Sequence, residues 1–277
     1  MFGRKDNKEC LQVNGVIFDW SGTAIDFGSM APAIAFSDIF KKFRIDVSME
    51  KIRSYMGLPK IDHIKKLLET KEIKEQWEIL YKRSPTEEDI KELYHLFTEV
   101  LMDLLPQYSK PIDGVVELVN ALKKEKIKIG STTGYSREMM KVVLDESKKY
   151  GYCPDCIVTP DEVPAGRPFP WMCYLNMIKL EIFPAETVIK VGDTISDITE
   201  GVSAGMWSVG IIKGSNELGL SEEMIDGLSK NELFKKYEEI RKKFLESGAH
   251  YVLYDISELE QLINIINIRL SKMKGLQ

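Results

Sequence analysis

Cysteine is scarce in this chain, with four in 277 residues, too few for a disulfide framework. No run of apolar residues reaches the roughly 20 that a membrane-spanning helix requires. There is no excess of positive charge either. With 38 Lys+Arg against 43 Asp+Glu the net charge is near -5, so the protein as a whole does not attract nucleic acid or anionic lipid, and an anionic ligand must be held by local cations. The opening MFGRKDNKEC lacks the hydrophobic segment of a secretory signal, and the expected address is cytoplasmic. Cys153 and Cys156 form a CxxC pair, but with no second pair or nearby histidine it reads as core packing rather than a zinc or redox site. The 19 Gly, 11 Pro, 44% hydrophobic and 29% charged residues are those of a folded globular protein and exclude collagen-like and disordered classes.

Short apolar runs, each halted by turn or polar residues, occur at Val13–Phe18, Ile127–Thr132, Cys156–Thr159, Val188–Val191 and Trp207–Ile212. Most are followed by a helical pattern, and strands alternating with helices predict a doubly wound parallel sheet, a Rossmann-like α/β core. One interval breaks the rhythm: more than a hundred residues separate Phe18 from Ile127, where a strand–helix–strand unit needs about thirty. The intervening stretch has helical segments and no convincing strand. Thr86 and Asp89 suit a capping box, and acidic residues fill the first turn that follows. The expected organisation is a core of residues 1–27 and 108–277 with a helical cap domain, 28–107, inserted. Gly114–Lys126 reads as the helix returning to the sheet. The tail reads as helix (Ser229–Phe244), short strand (His250–Leu253) and helix (Asp255–Leu270). No internal repeats appear.

In open parallel sheets ligands bind beyond the carboxyl ends of the strands, so the residues that stop each run carry the information. Asp19 is followed by a glycine-bearing turn, Ser21-Gly22-Thr23, whose N–H groups can cradle an anion. Thr132, Thr133, Gly134 and Tyr135 precede a helix N-terminus, which favours negative charge. Arg167 lies in a loop punctuated by Pro164, Gly166 and Pro168. Asp193 and Asp197 stand four apart where the chain turns into a helix. Each alone has a plain explanation as a cap or turn residue. Together, carboxylates at two strand ends suit Mg²⁺, which takes a few hard oxygen ligands and completes its shell with water and substrate oxygen. Arg167 supplies planar donors for the same anion and can orient Asp19.

This set, Asp-x-x-Gly-Thr, strand-end Thr133, a loop cation and Gly-Asp-x-x-x-Asp, resembles the haloacid dehalogenase superfamily in order and topology. More closely, Phe18–Thr23, Met56-Gly57-Leu58-Pro59-Lys60-Ile61-Asp62-His63, Gly130–Tyr135 and Val163–Pro168 resemble the phosphonoacetaldehyde hydrolases, or phosphonatases, over about Asn14 to Val252. The resemblance implies hydrolysis of the P–C bond of phosphonoacetaldehyde to acetaldehyde and phosphate. It implies Asp19 as nucleophile, Lys60 as the amine that condenses with the aldehyde, and Thr133 and Arg167 as phosphoryl-binding groups. His63, one helical turn beyond Lys60, would relay protons. Met56, Gly57, Gly134 and Tyr135 would line the substrate pocket. Asp19, the Ser21 carbonyl and Asp193 would ligate Mg²⁺, with Asp197 supporting Arg167 or the metal's waters. Packing roles remain open for His63, Met56 and Tyr135. A homodimer, joined through cap helices, is a further expectation from the family, with a small phosphonate as the only other partner.

The chemistry is consistent with these residue types. The superfamily's phosphatases carry a second Asp two residues after the nucleophile to protonate the departing alkoxide; Ser21 stands here and has no comparable acidity. A phosphonate needs another device, because its carbon leaving group departs as a carbanion unless a protonated imine accepts the electrons. Gly57-Leu58-Pro59 reads as a turn, so Lys60 opens a helix, whose positive end disfavours the ammonium. Two rivals are a Mg²⁺-dependent phosphate-ester hydrolase, in which Lys60 only binds substrate, and a non-catalytic phosphate sensor. The chain departs from the family pattern at Ser21, where relatives more often carry Ala, and at Ser29, where some carry Cys.

Overall fold

The computed structural model describes residues 11–274. The ten N-terminal residues read above for a secretory signal, and the last three, lie outside the described residues. Six parallel strands, β1 (Gly15–Phe18), β2 (Lys128–Thr132), β3 (Cys156–Val158), β4 (Val188–Gly192), β5 (Trp207–Ile211) and β6 (Tyr251–Leu253), form one sheet in the order β3-β2-β1-β4-β5-β6. Burial on both faces explains why β1 and β4 read as near-continuous apolar runs. Side chains alternate across the sheet: Val16 and Phe18 join the large core under α6 (Val115–Lys124) and α12 (Leu259–Lys274), whereas Ile17 points to the other face, against Cys173 and Met177 of α8 (Trp171–Leu180).

The chain builds outward from β1 to β2 and β3, then returns to the far side of β1 to lay down β4. This reversal makes a switch point between β1 and β4, where two neighbouring crossovers leave in opposite directions and open a crevice. Phe18 is in register with both Ser131 and Val191, so the residues following β1, β2 and β4 emerge at one level.

Five helices precede α6 in the long interval: α1 (Met30–Lys42), α2 (Met49–Arg53), α3 (Lys60–Glu69), α4 (Lys71–Tyr81) and α5 (Glu87–Tyr108). α5 opens with the capping box formed by Thr86 and Asp89, and its buried Leu93 and Phe97 face α1, where Phe36 packs 4.3 Å from the Phe97 ring. α5 ends at Tyr108, one residue past the interval assigned to the insertion. After β2 come α7 (Arg137–Lys148) and, beyond β4, α9 (Ile195–Ser203). A short α10 (Glu222–Asp226), absent from the sequence reading, precedes α11 (Lys230–Glu246). Strand and helix limits otherwise differ from the periodicity reading by a few residues, as at β1, where Asn14 already bonds Thr187 and Lys128 but lies outside the ladder. Cys153 and Cys156 are free thiols, and Cys156 packs against Val158 and Met172.

Candidate active site

Asp19 directly follows β1 and its backbone N–H bonds the Val191 carbonyl of β4, which fixes it beside Asp193, the residue following β4. The turn after Asp19 curls back so that Thr23 Oγ1 donates to Asp193 Oδ1 at 2.9 Å. Gly22 makes this possible: it has φ +89°, and a Cβ there would stand 2.1 Å from Asp193 Oδ2. Thr194 caps α9, and its hydroxyl holds Asp197 Oδ2 at 2.6 Å. Asp19, Asp193 and Asp197 thereby bring one carboxylate oxygen each to within 4.8 Å of one another, all buried.

Three carboxylates in so small a buried volume repel one another strongly, and their cations decide the outcome. Arg167 Nη2 lies 2.6 Å from Asp19 Oδ1 and 3.0 Å from Asp197 Oδ1, and Nε donates to Glu200 Oε2 at 2.9 Å. Lys190, inside β4, lies 2.6 Å from Asp197 and 3.6 Å from Glu200. Thr132 Oγ1 accepts from Arg167 and donates to Glu200. Burial pushes Asp197 up, but Arg167 and Lys190 outweigh it and hold the carboxyl below its ordinary value. Asp19 is raised by burial and by Asp197 despite Arg167, and Asp193 is raised further by burial, Asp19 and Asp197.

These directions and the charge balance fit a divalent cation. Four buried carboxylates (Asp19, Asp193, Asp197, Glu200) face two cations (Arg167, Lys190), leaving two negative charges, and hard oxygens are the donors that Mg²⁺-type ions take. No donor among the described residues bonds Asp19 Oδ2. Among the described residues the Ser21 carbonyl accepts only the Ser29 hydroxyl, at 3.2 Å, so a lone pair remains for a ligand.

The other wall comes from the inserted helices. Lys60 is the first residue of α3, buried to 6% exposure. Its Nζ is 3.9 Å from Met56 Sδ and 5.0 Å from the Tyr135 ring centre, and no oxygen of the described residues accepts from it. Burial, aided by Arg167 and opposed by Asp19, lowers its pKa to about 8. The family resemblance drew attention to this lysine and helix position was expected to lower its pKa, but removal from water is the main cause of its shift. Lys60, Met56, Gly57, Asp19, Ser21, Ser29, Thr133, Gly134, Tyr135, Arg167 and Thr194 enclose a cavity of about 20 Å³. Gly134 permits this closure, since a Cβ there would meet the Leu58 carbonyl at 2.5 Å. Arg167 Nη1 also reaches the Gly57 carbonyl at 3.4 Å.

His63 is placed differently from the rest. It lies on the Lys60 side of α3 but outside the cavity wall, its ring tilted against Phe36 with centroids 3.9 Å apart and its Nε2 at 2.8 Å from the Ile52 carbonyl. That carbonyl only accepts, so Nε2 carries the proton and Nδ1 is left unprotonated, buried and without a partner. Burial, then the Lys60 charge, lower its pKa well below the ordinary value, and the ring is neutral. Sequence reasoning missed Lys190 and Glu200. The available signal was a lysine within an otherwise apolar strand, because a fully buried ammonium requires a carboxylate partner.

Comparison with known proteins matches this geometry. Residues 16–211 match the family model described as haloacid dehalogenase-like hydrolase. The chain is 50% identical over 92% of its length to a phosphonoacetaldehyde hydrolase of Bacillus cytotoxicus, covering 97% of that protein. The chain belongs to the phosphonoacetaldehyde hydrolase family of haloacid dehalogenase-like hydrolases. A Bacillus mycoides member of this family is 49% identical over the same share of the chain. The crystal structure of a phosphonoacetaldehyde hydrolase-like protein from Oleispira antarctica superposes with a TM-score of 0.93 at 38% identity, over 98% of this chain and 99% of that one. This member of the hydrolase family carries no helix long and apolar enough to cross a membrane among the described residues.

Lys190 tests the electrostatic account of the site. Lys190→Met keeps the length of the side chain but leaves Asp197 and Glu200 short of one cation, and is expected to cost about 3–5 kcal/mol. Equilibrium urea unfolding measures this; a loss below about 1 kcal/mol would contradict the assigned pairing.

Proposed function

We propose that the protein hydrolyses the P–C bond of phosphonoacetaldehyde, with Lys60 as the covalent electron sink and Asp19 as the nucleophile. The observation that carries this reading is Lys60 itself: a buried amine with a pKa near 8, free of any carboxylate partner, facing the strand-end Asp19 across a closed cavity. A lysine that merely held a phosphate would need its ammonium form, which the lowered pKa disfavours. Ser21, two residues after Asp19, supplies no acid for an alkoxide leaving group, which disfavours ester cleavage.

The cavity of about 20 Å³ admits about one water, so substrate enters only when the cap moves off the sheet. Neutral Lys60 then adds to the aldehyde and loses water to give a protonated imine. Met56 and Tyr135 pack about this nitrogen and keep it apolar. Thr133 Oγ1 accepts the Tyr135 N–H at 3.1 Å, which leaves its own proton to donate to a phosphoryl oxygen. Arg167 fixes Asp19 through Oδ1 and so orients its carboxylate toward phosphorus. Asp19 attacks in line, the P–C electron pair moves into the imine to form an enamine, and protonation followed by hydrolysis releases acetaldehyde. Water then cleaves the aspartyl phosphate. Asp19, Asp193 and the Ser21 carbonyl would hold Mg²⁺, which when bound neutralises charge on the phosphoryl oxygens. Asp197 acts behind them by securing Arg167, and His63, neutral and packed, supports α3 beside Lys60.

The same reading includes a homodimer. Trp171, Tyr174 and Ile178 (72% exposed) form a stripe along α8, with Phe169 before it and Phe183 (83% exposed) after it. The Tyr174 hydroxyl meets the Ser203 carbonyl at the end of α9, bringing exposed Val202 alongside. At ~150–250 Å² for each fully exposed aromatic, these side chains leave several hundred Å² of apolar surface open, on the order of the 800 Å² that each partner gives a standard interface. The stripe itself carries no charge, so it complements a second copy of itself about a two-fold axis. It lies on the core, whereas the sequence reading expected the contact on cap helices, which offer the smaller patch of Ile79, Leu80 and Tyr81.

Borohydride reduction in the presence of phosphonoacetaldehyde is expected to attach a two-carbon phosphonate fragment to the Lys60 peptide, read by mass spectrometry. Lys60→Arg keeps a charge but cannot form the imine, and is expected to lose at least about 10³-fold in kcat; normal turnover by that variant would favour an ester hydrolase.

Only the neutral amine attacks, so kcat/KM should rise with pH and level off above the Lys60 pKa of about 8. Initial rates between pH 6 and 9.5 give this limb, and a flat profile would sink the assignment. In sedimentation, the protein is expected at twice its chain mass and a Trp171→Glu, Ile178→Glu variant at once; an unaltered dimer in that variant would place the interface elsewhere.

A further inference from the structure

Arg53 and Asn216 form a reciprocal pair between the inserted helices and the sheet, and no step described above uses them. Arg53 ends α2 and Asn216 lies in the loop after β5. Arg53 Nη1 donates to Asn216 Oδ1 at 3.1 Å, and Asn216 Nδ2 donates back to the Arg53 carbonyl at 3.1 Å. That carbonyl also accepts the Met56 N–H at 3.1 Å, so the amide of Asn216 grips the start of the turn that carries Met56, Gly57 and Lys60. On its other side, the Asn216 backbone N–H donates to Asp193 Oδ2 at 2.8 Å. One residue thus touches the Lys60-bearing segment with its side chain and a candidate metal-binding carboxylate with its backbone.

The arrangement is built rather than incidental. Asn216 is 1% exposed, and a buried amide needs its partners. Arg53 Nη1 also donates to the Gly28 carbonyl at 2.7 Å, while the Gly28 N–H donates to the Gly214 carbonyl at 2.7 Å. Gly28 precedes α1, where the chain passes from the sheet to the inserted helices, so the guanidinium holds the crossing point as well. Gly219 leaves room for it: a Cβ there would stand 2.9 Å from Arg53 Nε. Several neutral or charge-assisted bonds that close together and break together are the basis of a two-position element.

We propose that Arg53 and Asn216 are positioning residues, tying the Lys60 segment to Asp193 so that the amine and carboxylate halves of the site are aligned only when the inserted helices are seated on the sheet. The proposal rests on the roles given above to Lys60 and Asp193. Because the Asn216 N–H that meets Asp193 is a backbone group, it survives substitution of the side chain; what is lost is the tie that keeps it in place.

Arg53→Met and Asn216→Ala, singly and together, test this. Mg²⁺ affinity of the substrate-free protein, measured by calorimetry, is expected to fall about three- to tenfold in each single variant although Arg53 touches no carboxylate of the site. The double variant is expected to be weaker than either single but by less than the product of the two effects, since the singles share the loss of the bond from Arg53 Nη1 to Asn216 Oδ1. The value of kcat is expected to fall about tenfold while borohydride still traps the adduct on Lys60. Hydrogen exchange at residues 53–60 should quicken in all three variants. Unchanged Mg²⁺ affinity in Arg53→Met, or single effects that multiply in the double variant, would overturn the proposal. Should Arg53→Met fail to fold, Arg53→Lys, which keeps a donor but loses the fork, is expected to show an intermediate loss of Mg²⁺ affinity, and full retention would count against the tie. Absence of a Lys60 adduct in the unaltered protein would instead defeat the functional reading, which the metal measurement does not require.

Discussion

Burying Asp19 beside Asp193 and Asp197 is the constraint from which the rest of the site follows. A carboxylate taken out of water is costly unless paired, and three within 4.8 Å multiply the cost. The chain meets it with Arg167 and Lys190, each shared between carboxylates. Lys190 enters from within β4 and Arg167 from the loop after β3, so sheet strands on either side of β1 supply the compensation. The pairing is unequal. Asp197 and Glu200 receive both cations, whereas Asp193 receives only hydrogen bonds from Thr23 and the Asn216 backbone. The uncompensated charge therefore collects at Asp19 and Asp193, the two carboxylates at the switch point, which is where a divalent cation has most to gain.

The amine half obeys the opposite rule. Lys60 has been deprived of counter-ions: Met56, Phe36 and Tyr135 surround its nitrogen, and Asp19, the largest stabilising charge on it, is engaged with Arg167. Were Lys60 paired as Lys190 is, its pKa would rise, as that of Lys190 does although Lys190 is the more deeply buried of the two. Two buried lysines with opposite shifts show that burial alone does not set the charge state; the partners do.

Much of this was legible in the amino-acid sequence because parallel strands buried on both faces write themselves as apolar runs and their ends as polar punctuation. Asp19, Thr133 and Asp193 are such ends, and their residue types name the chemistry. The length of the interval before Ile127 announced additional helices between β1 and β2 by arithmetic alone. What could not be read were pairings between residues far apart in the chain, such as Arg167 with Glu200 or Arg53 with Asn216. Lys190 was passed over since three of the four residues around it in β4, Val188, Ile189 and Val191, are what a buried strand requires. His63 shows the limit of helical periodicity: the spacing from Lys60 gives the face, but only packing against Phe36 and the Ile52 carbonyl turns it into a neutral, interior ring. The α8 stripe was hidden for a related reason, as that helix is apolar on its covered side too, with Met172, Cys173 and Met177 buried.

Placing the two halves on separate parts of the chain has a chemical logic. On the proposed reading, imine formation expels a water and later steps consume water, whereas phosphoryl transfer is best done dry. A single rigid pocket would have to serve both conditions. With Lys60 on the inserted helices and Asp19 on the sheet, the amine can meet the aldehyde while the halves are apart, and the phosphorus meets Asp19 only once they close around the bound substrate. The contacts that define closure, Gly134 beneath the Leu58 carbonyl and Arg167 against the Gly57 carbonyl, fall on either side of the same short turn that leads into Lys60. Seating that turn therefore sets the position of the nitrogen and the exclusion of solvent in one movement, and neither can be reached without the other.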